Sequence, residues 1–132
     1  MSNFVIINGL EFETLLALSF EEKLKGLMGQ KFPHPNMTFI YSSSCVNKYW
    51  MKLTPSPLDI IFCLGGEIVN IWKGEPFSTS MIGRDDQLSD LVVEFPYGTC
   101  KLNDIKIGDK IELKCSDQSL LKILLLKTGM LF

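Results

Sequence analysis

Three ionisable residues stand in otherwise apolar surroundings: Lys52 after Trp50-Met51, Asp59 between Leu58 and Ile60, and Glu94 between Val93 and Phe95. A charge on a strand flanked by core residues must be paired, solvated or functional, because burying it alone is costly. Two arrangements answer that demand. In the first, Lys52, Asp59 and Glu94 converge on a small anion- or peptide-binding pocket, with Lys52 as its cation and Trp50 and Met28 as its walls. In the second, the three form an ion-pair network that fixes the sheet, with Asp59 also capping backbone after Pro57. Structural networks perturb charges as readily as active sites do, which weights the second arrangement.

The remaining reactive residue types form no catalytic set. His34 is the single histidine and lies between two prolines. Without a second histidine or a cysteine pair it builds no typical zinc site, and an exposed loop position is expected. Cys45, Cys63, Cys100 and Cys115 are irregularly spaced and contain no C-x-x-C pair. Reduced thiols are expected, most of them small core residues, with Cys45 after three serines the most exposed. Gly26 and Gly29 could bring backbone amides to an anion, but helix termination is the simpler role. No catalytic residue, metal site or cofactor is therefore expected, and a non-catalytic role is favoured.

The chain that must position these groups has 132 residues, fewer than the ~150 typical of a domain, so one main domain is expected. With 46% hydrophobic and 21% charged residues it is globular rather than disordered. A net charge of −2 argues against a nucleic-acid partner bound through broad phosphate neutralisation. The start, Met1 to Asn8, has no basic region and too short an apolar run for a signal peptide. No stretch is long enough to span a membrane, so a cytoplasmic location is expected.

Val5–Ile7 and Glu11–Leu18 read as strands across an Asn8-Gly9 turn. Ser19-Phe20-Glu21-Glu22 reads as a capping box opening a helix from Phe20 to Leu27, with Phe20, Leu24, Leu27 and Met28 on its apolar face. Strands are expected at Met37–Tyr41 and Asn47–Lys52, with Ser42–Ser44 as a loop between them. Asp59–Leu64 and Glu67–Trp72 form a hairpin across Gly65-Gly66, and the first of these strands, apolar on both faces, belongs inside a sheet. Gly74–Asp90 reads as a long loop. In the strand Leu91–Phe95, Leu91, Val93 and Phe95 share one face, and Val92 and Glu94 the other. A helical turn near Thr99–Asn103 and a last strand at Lys110–Lys114 complete a domain over residues 1–115.

Lys25-Gly26-Leu27-Met28-Gly29, Trp50-Met51-Lys52 and Pro57-Leu58-Asp59-Ile60-Ile61-Phe62 occur in that order. Gly65-Gly66, Val93-Glu94-Phe95, Gly98 and Gly108-Asp109 follow. This ordered set resembles the domain-of-unknown-function family 192. The resemblance implies a mainly β fold with minor α, a compact antiparallel barrel-like sheet with one or two short helices, and no established activity. Two positions depart from the family pattern. Leu53 follows Trp50-Met51-Lys52 where the family has Asn, and Gln30 replaces a basic residue, so both changes remove polar groups near the site. Relatives in bacteria and phages extend the expected settings to a virion.

Residues 116–132 read as a separate apolar extension. From Leu120 to Phe132, nine of thirteen residues are large and apolar. A helix from Leu120 to Lys127 would be apolar nearly all round and would need cover. Leu121, Leu124, Leu125, Met130 and Phe132 are its candidate partner-binding residues, toward a protein partner or a second copy. The first expected role is thus a binding or assembly module contacting other chains through this tail or the 74–90 loop, with a phage structural protein as its narrower form. The alternative is a small-ligand or peptide pocket, weakly enzymatic at most, built on Lys52, Asp59 and Glu94.

Overall fold

The computed structural model describes residues 2–116. Strand β1 (Asn3–Ile7) turns at Asn8-Gly9 into β2 (Leu10–Ala17). Both turn residues have positive φ, 54° and 77°, which suits the tight hairpin that Asn-Gly favours. Helix α1 (Phe20–Lys25) follows behind the expected capping box. The Glu22 amide donates to Ser19 Oγ at 3.1 Å, and Glu22 Oε1 accepts from the Ser19 and Leu18 amides at 3.0 and 3.1 Å. Those backbone donors hold the Glu22 carboxyl below its ordinary range.

The helix is shorter than its sequence pattern suggested. It stops at Gly26, whose φ of 48° strongly favours glycine. Its expected apolar face is not a core face: Phe20 and Leu24 are 79% and 55% exposed, Met28 is half-buried, and only Leu27, beyond the helix end, is buried. Six residues make less than two turns, too few to carry a full stripe into a core.

Strand β3 (Asn36–Val46) runs through the three serines expected to form a loop. They lie within a register shift between Ile40 and Cys45, beyond which the strand pairs again at its exposed end. Strands β4 (Leu58–Leu64) and β5 (Glu67–Gly74) form the expected glycine hairpin. β6 (Leu88–Pro96), α2 (Thr99–Leu102) and β7 (Ile111–Cys115) complete the domain. Asn47–Lys52 is not a ladder strand: its one bridge joins Tyr49 to Ile82.

The strands form one sheet in the order β5-β4-β6-β3-β2-β1-β7. All pairs are antiparallel except β2 with β3, which is parallel. Residues 18–35, which include α1, supply the crossover that a parallel pair requires. The two ends of the sheet curl together. The Ile111 amide donates to Gly66 O at 3.0 Å, and the Ile68 amide donates to Asp109 O at 2.9 Å. The fold is therefore mainly β, a barrel-like curled sheet with two short helices.

The curl gives the sheet two different faces. Val5, Ile7, Ile61, Cys63, Val93, Phe95 and Ile111 meet inside it. On the other face, Ala17, Phe39, Ile60, Phe62 and Val92 are covered by Leu27, Tyr49, Met51 and Ile82 from the connecting segments. β6 alternates as expected, with Leu91, Val93 and Phe95 facing the inside. Val92 and Glu94 therefore face the covered outer side.

Candidate functional site

β6 lies between β3 and β4, where Glu94 sits opposite Met37 on one neighbour and Ile60 on the other. A side chain on an inner strand cannot swing past a sheet edge to solvent. Glu94 is accordingly 4% exposed. Gly26 lies directly over it: a Cβ at that glycine would stand 3.8 Å from Glu94 Oε1 and 3.4 Å from Phe39 Cζ. Beside this close approach the carboxyl faces a cavity of about 250 Å³.

The cavity is graded in polarity. Its deep part is formed by Glu94, Phe39 and Tyr49, all buried. Leu27, Met28 and Trp50 form the middle walls, and the half-buried Lys23 and exposed Lys25, Lys48 and Lys52 stand at the mouth. An apolar shelf of Leu24, Met28, Trp50 and Leu53 continues outward.

Glu94 makes no hydrogen bond or ion pair with any described residue. Burial alone raises its pKa from 4.5 to about 8, so the neutral acid dominates at pH 7. It can then donate one hydrogen bond into the cavity and accept another. The Tyr41 and Tyr49 hydroxyls contact each other beside it. Burial raises both phenols' pKa values, so they too act there as neutral hydrogen-bonding groups.

Three ammoniums are arranged around aromatic or charged neighbours. Lys23 Nζ lies 4.1 Å from the centre of the Tyr41 ring, and Lys52 Nζ lies 5.1 Å from that of Trp50. Burial lowers the pKa of Lys23. Lys48 is paired with Asp85. Among the described residues, no carboxylate pairs with Lys23, Lys25 or Lys52.

Four of the five expected ligand-binding residues, Lys52, Glu94, Trp50 and Met28, line this one cavity. Asp59 does not join them. It is buried on β4 in the face directed into the curl, opposite Phe95 rather than Glu94. There its Oδ2 accepts from the Gly98 amide at 3.1 Å and the Cys100 amide at 2.9 Å, fixing the start of α2. The capping role read from Pro57-Leu58-Asp59 describes this arrangement, but the ion-pair network does not: none of Lys52, Asp59 and Glu94 is in an ion pair among the described residues.

The other candidate groups build no second site among the described residues. Gly26 and Gly29 form no anion nest, since their amides donate to Glu22 O at 2.9 Å and Leu53 O at 2.8 Å. His34 is half-buried, with Nδ1 2.9 Å from Pro35 O. Cys63, Cys100 and Cys115 are buried, and burial pushes the Cys100 thiol up to about 12. Cys45 is exposed and its Sγ donates to Asn47 Oδ1 at 3.2 Å. Among the described residues no group of three His, Cys, Asp or Glu side chains could hold a metal ion. No helix there is long and apolar enough to cross a membrane.

The 74–90 connection does not stand away as an arm. The Met51 amide donates to Ser78 O at 2.9 Å, the Phe77 amide to Thr54 O at 3.0 Å, and Tyr49 and Ile82 exchange both backbone bonds. Leu121, Leu124, Leu125, Met130 and Phe132 lie outside the described residues.

Sequence reasoning missed Lys23, Lys25, Lys48, Tyr41 and Tyr49. The tyrosines carried a signal: Tyr41 is two residues from Phe39 on one strand, hence on the same face. The lysines carried none, because an exposed lysine on a helix or loop has no distinguishing pattern.

The chain belongs to the DUF192 family, described as Uncharacterized ACR, whose family model matches residues 4–113. No curated protein matches it. Among the solved structures that share the fold, two serve as examples. One is a "putative transcription regulator" from Sinorhizobium meliloti 1021, 27% identical over 84% of this chain and 91% of that one, with a TM-score of 0.74. The other is a protein of unknown function from Novosphingobium aromaticivorans DSM 12444, 28% identical over 85% of this chain and 84% of that one, with a TM-score of 0.73.

Proposed function

We propose that this DUF192 chain is a non-catalytic binding module whose outer-face pocket takes a small organic molecule with an apolar body and a polar end. One observation carries the reading: Glu94 is buried on an inner strand, faces a cavity and has no hydrogen-bonding partner among the described residues. The carboxyl meets the cavity rather than a sealed interior, so a ligand group that accepts its proton can take the place of water there. Leu27, Met28, Phe39 and Trp50 supply the apolar contact that small-molecule sites use for affinity. The neutral carboxyl and two phenols supply directional recognition. The exposed thiol, Cys45, does not line the pocket, which favours binding over covalent chemistry.

Titration of phenol into the full chain, followed by amide NMR shifts, tests this. Saturable shifts confined to the backbone around Gly26, Leu27, Tyr41, Trp50 and Glu94 are expected. Shifts scattered over the surface, or rising linearly without saturation, would overturn the proposal. The assembly role through residues 116–132 or the 74–90 loop remains a separate proposal, tested by whether sedimentation of the full chain depends on concentration.

A further inference from the structure

Charge is distributed unevenly between the mouth and the floor of this pocket. Four lysines line it, and its one lining carboxyl, Glu94, is at the floor. The acids nearest the mouth are already engaged or set aside from the cavity. Asp85 pairs with Lys48, Glu22 serves the capping box, and Glu21 borders the outer shelf rather than the cavity. Lys23, Lys25 and Lys52 are left as cations without a carboxylate partner among the described residues. Ring contacts with Tyr41 and Trp50 place two of them, the half-buried Lys23 and the exposed Lys52, beside the cavity walls.

Resting on the pocket reading above, we infer that the ligand is a small organic anion. Its charged end lies among Lys23, Lys25 and Lys52, its apolar body lies against Leu27, Met28 and Phe39, and a neutral polar atom meets Glu94. A cationic ligand would meet three like charges on entry. A neutral ligand would leave those ammoniums unmatched, forgoing the charge-assisted hydrogen bonds that are the stronger kind. The cavity, about 250 Å³, lies below the roughly 300–1,000 Å³ of drug-sized sites, which limits the body to about one ring. Tyr41, Tyr49 and the four lysines are the other titratable groups lining the cavity with Glu94, and burial raises both phenols, so neither adds a negative charge there at neutral pH.

Three probes of one shape separate this inference from the pocket reading: para-hydroxybenzoate, para-hydroxybenzyl alcohol and para-hydroxybenzylamine, titrated calorimetrically into the full chain at neutral pH. The benzoate is expected to bind about tenfold or more tighter than the alcohol, and the amine weakest. Replacing two of the three cations, Lys25→Met with Lys52→Met, should cut the benzoate's advantage over the alcohol several-fold, with Lys23 left to hold the remainder. Equal binding of all three, preference for the amine, or a benzoate advantage undiminished by the double substitution would overturn the anion inference and leave the pocket reading intact. Saturable binding by none of the three would overturn both.

Discussion

Asp59 and Glu94 are two buried carboxyls on adjacent strands, 6% and 4% exposed, yet the two faces of the sheet give them opposite circumstances. Asp59 points into the curl and receives two backbone amides from the start of α2. Glu94 points outward, receives none, and is pushed to about 8 by burial alone. The inner carboxyl has been made part of the scaffold. The outer one sits in a site whose hydrogen-bonding capacity the described chain leaves unused. Burial and residue type do not separate a structural acid from a binding acid; the partners do.

The comparison is tested most severely by Asp59→Ala. Both amide bonds converge on one oxygen, so truncation orphans the Gly98 and Cys100 amides together. With each unsatisfied donor costing about 1–3 kcal/mol, a loss of about 2–5 kcal/mol is expected, lowering the melting temperature by about 10 °C or more. Asp59→Asn keeps an acceptor oxygen and should lose less. Chemical denaturation measures both. An alanine variant as stable as the parent would erase the distinction between the two faces.

Glu94→Gln acts in the other direction, on pH dependence. The native carboxyl titrates near 8 and the unfolded one near 4.5. Between those values the native state holds a proton that the unfolded chain has released. Stability is therefore greatest below about 4.5 with respect to this group, falls as pH rises through the window, and levels off above 8, a change on the order of a few kcal/mol. Glutamine stays neutral throughout. Melting curves from acid to mild alkali should show a downward slope that the variant lacks, with the variant the more stable at the alkaline end. Identical slopes would mean that Glu94 is not the buried, unpartnered acid described here.

The two carboxyls also show what could be read before the fold was known. Alternation along Leu91–Phe95 assigned Glu94 to the face opposite Val93 and Phe95, because a strand has a fixed period of two. The same rule separates Asp59 from Glu94 only once the pairing of β4 with β6 is known, and β5 and the 74–90 connection lie between those strands in the chain, so no single tight turn sets it. The capping box and the two glycine-containing hairpins were legible because their chemistry is local. Helix α1 misled because Phe20, Leu24 and Leu27 have helical spacing whether the face they form is a core or the edge of a pocket. The serines of β3 misled for the opposite reason: they lie in an irregularity of the ladder, and the pairing of β3 with β6 on both sides of them keeps the strand continuous.

Gly26 links the helix end to the acid beneath it, and Gly26→Ala probes how tightly the outer face is built. A side chain at φ 48° is strained before any contact is considered. The added methyl would lie 3.4 Å from Phe39 Cζ, ordinary contact, so backbone strain rather than collision sets the cost at about 1–3 kcal/mol. Because the methyl also approaches Glu94 Oε1, para-hydroxybenzoate affinity should fall with stability, a paired effect that Asp59→Ala should not produce. Calorimetry on both variants distinguishes the two.

Lys52→Met should have the smallest effect on folding and, for that reason, isolates the pocket from the scaffold. Lys52 is exposed and has no carboxylate partner among the described residues; its one ring contact is with Trp50. Removing an exposed cation–π contact costs about 0.5–1 kcal/mol at most, and methionine keeps much of the apolar stem that packs on the ring. The melting temperature should therefore move by only a few degrees, while anion affinity drops several-fold. A melting-temperature loss as large as that of Asp59→Ala would move Lys52 into the scaffold and leave the outer face without its proposed cation.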